Sequence, residues 1–315
     1  MPTTTTSTLP APVQQSFNDM ILSTPVPNYI HSIPAMRNHM PSNGGRIMRF
    51  RRYNPLAPAI VPLGNTGITP PSQLLNAIDI DAEVSFYGSF VQINEQVTLQ
   101  AQDKPLTQAA IRLGDSLRKT EDILVRNMLA GSATIQNCMF GMNGDDPTNL
   151  TAADCDIVTQ TLMGNDAHMF TGTIEGELRF GTSPVRNSYI ALCSTELVAQ
   201  LNGLSDFIPA AKYPDQNNVI DSEWGQINNI RFFVSSIGSV TPAASFLGQD
   251  IFNIFVCAKE SYGIIEQDNY TAKFIYRPAI FSDPLAQNVT AGYKMAAAYR
   301  IYNDAWVLNL RATNV

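Results

Sequence analysis

The sequence predicts an α+β fold, and three observations predict it. From Ile78 to Phe86, apolar Ile78, Ile80, Ala82, Val84 and Phe86 alternate with Asp79, Asp81, Glu83 and Ser85, the two-residue period of a strand with one buried face. Leu106, Ala110, Leu113, Leu117, Leu124 and Met128 then recur at helical steps, as one apolar stripe of a helix requires. Beyond them, short apolar runs such as YIALC and IFVCA are bounded by turn residues and mixed with short helical stretches, with no internal repeat.

Residues 1–45 come first. Thr3 to Thr6 and prolines at positions 2, 10, 12, 25, 27, 34 and 41 fix the local φ angles but leave little to pack. The segment is predicted to be an arm that a neighbouring subunit orders, and removal of residues 1–40 is expected to leave the subunit folded while blocking its stable assembly. RIMRFRRY (46–53) reads as a strand, and Pro55, Pro58, Pro62, Gly64, Gly67, Pro70 and Pro71 follow it. The alternating stretch then returns, so residues 46–87 form a long hairpin. Arg46, Arg49, Arg51 and Arg52 lie on one limb, and Asp79, Asp81 and Glu83 on the other. Opposite charges facing each other across two strands fix register. The same seven residues are the candidate contacts between subunits. After Gly88 the apolar phase moves to Val91, Ile93, Val97 and Leu99, predicting a bulge or a change of sheet at that glycine.

The helix comes next, with Asp103 as N-cap, Pro105 in its first turn and Gly131 as its end. Its roughly 26 residues would span about 39 Å. Arg112, Arg118, Lys119, Glu121 and Arg126 interrupt the stripe, as on a helix with one face on a sheet and one in water. GMNGDDPTN (141–149) is a loop, and Thr151 with Asp154 opens a second helix to about residue 163. Asp145 and Asp146 do not have the spacing of a calcium loop and read as a solvated turn. Strands follow over 189–193, 230–234, 251–258 and 273–280, with a helix over 195–201 capped by Ser194. A closing hairpin is predicted from 293–302, turning at Asn303 and Asp304 into 305–312, with Trp306, Leu308 and Leu310 on one face.

Composition bounds what such a chain does. Its 315 residues support well-buried cores. With 44% hydrophobic and only 15% charged residues, it is too apolar for disorder and leaves much of its surface suited to meeting protein. A net charge of -7 argues against gripping phosphates as the main task, so contact with DNA should be weak and local. Cys138, Cys155, Cys193 and Cys257 are scattered without a CxxC pair, which reads as buried reduced thiols in a reducing compartment. The start, MPTTTTSTLPAP, has neither a basic nor an apolar signal region, so the sequons at Asn149, Asn269 and Asn288 carry no meaning. No apolar run reaches the length of a membrane span, and a soluble protein is expected.

The chemistry is sparse. The sequence has no phosphate loop, GxSxG, HExxH or dinucleotide fingerprint. His31, His39 and His168 stand apart from any nucleophile, so no catalytic residue, metal or cofactor is expected. Carboxylates distant in sequence could still meet as an acid and base pair, which keeps a soluble hydrolase as an alternative. The run Arg46, Arg49, Arg51, Arg52 with Phe50 and Tyr53 has the look of a nucleic-acid strip. The carboxylates opposite favour pairing within the hairpin or between subunits instead.

In this order the elements resemble the Hong Kong 97 fold of tailed-phage capsid proteins, and three blocks resemble the coliphage N-four type major capsid family. They are RFRRYNPLAPAIVPLGNTGITPP (49–71) with YGSFVQINEQVTLQAQDKPLTQAA (87–110); the middle runs SYIALCSTELVAQL, SEWGQINNIRFFVSS and FVCAKESYGII; and SDPLAQNVTAGYKMAAAYRIYNDAWVLNLRA (282–312). Asn228 and Asn229 stand where the family has glycines, and 133–182 matches poorly. The resemblance implies an N-terminal arm (1–45), an E-loop hairpin (46–87), a P-domain (88–132 and 269–315) built on a long spine helix, and an A-domain (133–268). It implies a structural major capsid protein that self-assembles as hexamers and pentamers into an icosahedral, DNA-containing head. Assembly would take place in the bacterial host cytoplasm with scaffolding, portal and decoration proteins as possible partners, without a membrane. An encapsulin-like compartment shares the fold and is the other alternative. Some capsids of this fold join subunits through an E-loop lysine. Here the lysines are Lys104, Lys119, Lys212, Lys259, Lys273 and Lys294, none of them in the hairpin, so a shell locked without covalent bonds is expected.

Overall fold

The computed structural model describes residues 26–60, 72–94, 96, 105–170, 187–213, 219–278 and 287–314. Asp103, the expected helix cap, and residues 279 and 280 of an expected strand lie outside them. The strands are β1 (Met36–Met40), β2 (Ile47–Tyr53), β3 (Ala77–Glu83), β4 (Ser85–Asn94), β5 (Thr134–Asn137), β6 (Tyr189–Ser194), β7 (Ile208–Pro209), β8 (Glu223–Ile227), β9 (Ile230–Ser235), β10 (Ser239–Thr241), β11 (Ile251–Cys257), β12 (Tyr262–Gln267), β13 (Lys273–Arg277), β14 (Asn288–Ile301) and β15 (Val307–Thr313). The helices are Pro105–Ser132, Ala152–Gly164 and Val198–Gly203.

One sheet runs β5-β15-β11-β6-β9-β8-β7, with β10 also on β11. Its central strands β6, β9 and β11 are buried on both faces, which is why they read as mainly apolar runs, interrupted by Arg231 in β9 and Asn253 in β11. Cys155, Val158 and Leu162 of the second helix cover one face together with Leu197 and Leu201. Val125 and Leu129 of the long helix cover the other. The capping box of that second helix is present, with the Thr151 N–H donating to Asp154 Oδ2 at 3.0 Å. Between β8 and β9 the chain turns on Asn228 and Asn229 alone, and Asn228 sits at φ 49. Asparagine tolerates that left-handed conformation, so the turn closes without the glycines of the resembling family.

The second sheet is built on β14, and here the structure departs from the expected closing hairpin. β14 pairs with β12, β13 and β4, while β15 pairs with β11 and β5. Both edges of each strand are taken, so the turn over 302–306 carries the chain from one sheet to the other. Alternation identifies a strand but not its partner. The long helix covers one face of this sheet through Leu113, which packs on Ala291 and Tyr293. The Tyr293 hydroxyl lies 3.3 Å from Ser116 Oγ and 3.2 Å from Thr120 Oγ1.

The change of sheet expected at Gly88 occurs earlier. The β2–β3 ladder ends at Glu83, and from Ser85 the chain pairs with β14 in a continuous register. Val84, 5% exposed, is the pivot.

Residues 26–45 find their partners in their own chain, where composition suggested a neighbour. β1 pairs in parallel with β12 from Met36↔Gly263 to Met40↔Gln267. Ile30 and His31 are fully buried. Asp122 of the long helix accepts from the His31 backbone N–H at 2.8 Å and the Ser32 N–H at 3.3 Å, and its second oxygen meets His31 Nδ1 at 2.7 Å. Arg37 bridges Glu121 of the helix and Glu266 of β12. These contacts span 84 to 229 residues of sequence, a distance at which local composition carries no signal.

Candidate interaction surface

The projecting hairpin places its two faces differently. Met48, Phe50, Ala82 and Val84 turn toward the second sheet and pack near Met40, Ile265, Ala296 and Ala298. Phe50 also meets Tyr302, with ring centroids 4.8 Å apart. The opposite face is charged. The register Arg49↔Asp81 and Arg51↔Asp79 makes two forked pairs: Arg49 donates to both Asp81 oxygens at 2.7 and 2.9 Å, and Arg51 to both Asp79 oxygens at 2.8 and 3.2 Å. Arg46 pairs with Glu83. Hydrogen bonds from the guanidiniums hold Asp79 and Asp81 below the usual carboxylate range. Arg52 lies on the other face, lining a cavity with Ile78, Met128 and Arg300. Six of the seven candidate residues are therefore brought together as pairs. With Arg46, Arg49 and Arg51 already neutralised, a phosphate would have to displace a carboxylate to bind them.

Past the ladder the described hairpin residues expose apolar side chains: Leu56, Ile60, Leu74 and Leu75 are 56 to 84% exposed. A second exposed apolar cluster escaped sequence reasoning. Phe246 is 94% and Leu247 78% exposed, and Phe140 and Met142 project from the neighbouring loop. Asp146 joins the two loops by accepting the Phe246 N–H at 3.0 Å. The signal lay in the sequence as an apolar pair, Phe246 and Leu247, inside a turn-rich stretch where nothing would bury it.

His31 and Asp122 form a histidine and carboxylate pair, but both are sealed from solvent. The second ring nitrogen of His31 has no hydrogen-bond partner, and the ring sits edge-on to Phe255 at 6.2 Å. The pair fastens chain rather than meeting a substrate. All four cysteines are free and buried, and burial raises the Cys155 and Cys193 thiols to about 12. Among the described residues no helix is long and apolar enough to cross a membrane.

This arrangement, a hairpin thrown out beside a helix-backed sheet and a second sheet joined to it by β14 and β15, is the Hong Kong 97-like fold. It is the fold of phage capsid proteins. The capsid protein of Ralstonia phage GP4 superposes with a TM-score of 0.72 over 99% of this chain and 99% of its own, at 12% identity. That of cyanophage Pam1 gives 0.69 over 99% and 98%, at 11% identity. That of cyanophage P-SCSP1u gives 0.65 over 96% and 94%, at 13% identity. No family model and no curated protein matches the sequence.

Proposed function

We propose that the chain is the structural major capsid protein of a tailed bacteriophage, of the coliphage N-four type, and that it assembles into the icosahedral head. The observation that carries the reading is the end-to-end correspondence with capsid subunits such as that of phage GP4, covering 99% of both chains. Exposed apolar side chains on the hairpin and on the 139–146 and 242–250 loops support it, since a solitary subunit rarely leaves such clusters in water. In this reading residues 1–45 are the arm, 46–87 the E-loop, 88–132 with 269–315 the P-domain and 133–268 the A-domain. Copies gather as hexamers and pentamers in the host cytoplasm, with scaffolding, portal and decoration proteins as further partners. Packaged DNA is touched only weakly, because the chain carries -7.

Electron microscopy and size-exclusion of the purified protein test the reading: closed particles are expected, and a small uniform oligomer would overturn it. The shell is proposed to be locked non-covalently, because the hairpin has neither lysine nor cysteine. Particles boiled in detergent should run as one band at 34.5 kDa. A ladder of multiples that survives reductant would refute the locking model.

The hairpin pairs are proposed to set register for a contact with a neighbour. Combined Asp79→Lys, Asp81→Lys and Glu83→Lys should leave the subunit's melting temperature within a few degrees, since exposed pairs contribute little to folding. Assembly yield should fall about tenfold, a change equivalent to about 1.4 kcal/mol. Equal losses in melting and assembly would count against the idea.

A further inference from the structure

Among the described residues, every sheet edge but one that lacks a partner strand is short or charged. β7 is two residues ending in Pro209, β5 is four residues, β1 carries Arg37 and His39, and β13 carries Lys273 and Arg277. These are the usual protections against unwanted strand pairing. β4 has none of them. It is ten residues long, SFYGSFVQIN, with no charge and no proline. One edge bonds to β14 along its whole length. β13 and β12 share β14 residues with β4 and so occupy the far side of β14. Among the described residues no strand pairs with the outer edge of β4.

The sheet face beside this edge is equally unusual. Register puts Phe86, Phe90, Ile275, Arg277 and Lys294 on the face away from the long helix. They line a groove of about 460 Å³. Gly88 and Gly292 form its floor, opposite Lys294 and Phe90. Phe90 is 70% and Phe86 57% exposed, and Lys294 Nζ stands 5.0 Å from the Phe86 ring centre. Among the described residues no carboxylate lines the groove.

We propose that β4 is an assembly edge, to which a second copy of this chain adds a strand while its apolar and acidic side chains enter the groove. The inference rests on the shell reading. A row of backbone donors and acceptors with which no described strand pairs selects a polypeptide over a nucleic acid, which cannot continue the ladder. A cationic groove without carboxylates on a chain of charge -7 suits an acidic partner. A second copy is such a partner, and in a shell it is the one always present.

Hydrogen exchange on full-length protein, comparing dissociated subunits with DNA-free particles, reads this directly. Alternate amides of residues 85–94 should exchange quickly in subunits and slow by about 100-fold or more in particles, while β14 stays slow in both. Phe90→Glu, which places a carboxylate beside Lys294 and Arg277, should leave subunit melting unchanged and cut assembly about tenfold. Phe90→Leu should assemble normally. Particles whose β4 amides exchange as in free subunits would overturn the inference and leave the shell reading intact. Protection only in DNA-filled particles would assign the edge to another ligand and also overturn it. A wild-type chain that forms no particles under any condition would overturn both.

Discussion

Deleting residues 1–40 should give a chain with no cooperative melting transition, whereas deleting residues 1–25 should leave one. The longer deletion removes Ile30, Ala35 and Met40, all 2% exposed or less, and truncating one large core side chain already costs about 2–5 kcal/mol. It also strips β12 of its parallel partner, exposing a row of buried ladder groups. Its worst effect falls on charge. Asp122, 1% exposed, loses both backbone donors and the His31 ring, and a buried carboxylate left alone costs about 3–5 kcal/mol. Glu266, 6% exposed, loses Arg37. Against a typical domain stability of about 5–15 kcal/mol, these losses together leave little or nothing. The shorter deletion keeps every one of these contacts. Thermal melts followed by circular dichroism decide the matter, and a cooperative transition from the chain starting at residue 41 would refute the argument.

That outcome reverses what the composition of residues 1–45 suggests, and the reason is instructive. Threonine and proline density describes how a segment packs on itself, and by that measure the segment is poor. Its actual partners, Asp122, Tyr262 and Glu266, lie 84 or more residues away. Local periodicity was informative where the partner is local or the pattern is long. The β2–β3 register could be inferred because arginines and carboxylates alternate in phase with the apolar positions, and the long helix because its stripe persists through 28 residues. Periodicity identifies the closing strands for the same reason but not their pairing, since alternation in β14 and β15 is equally compatible with any partner. Among the candidate contacts, the paired charges could be read from residue type and spacing. The bare edge of β4 could not, because an edge exists only once the neighbours of a strand are known.

Arg231→Met is expected to cost about 3–5 kcal/mol, the largest effect of a single substitution proposed for this chain. Arg231 and Glu223 are wholly buried as side chains. Arg231 Nε donates to Glu223 Oε1 at 2.8 Å, the same oxygen accepts from the Tyr213 hydroxyl at 2.9 Å, and a second guanidinium nitrogen bonds Glu223 Oε2. The guanidinium also lies 5.8 Å from the centre of the Phe233 ring. Burial, with Glu223 beside it, raises the Tyr213 phenol well above its ordinary value, so it stays a donor at any physiological pH. Removing the guanidinium leaves a carboxylate in a low-dielectric site with one neutral donor to hold it. The cost is therefore that of the stranded charge more than of the pair. This distinguishes two double variants. Arg231→Met with Glu223→Leu removes both charges and should recover most of the loss, short of about 0.5–1.5 kcal/mol for the lost hydrogen bond between the Tyr213 hydroxyl and Glu223. Arg231→Met with Tyr213→Phe keeps the stranded carboxylate and should recover nothing. Urea midpoints of the three variants at constant slope measure each step. If the double charge removal is no more stable than Arg231→Met alone, the pair holds the β8–β9 turn by geometry rather than by neutralising charge.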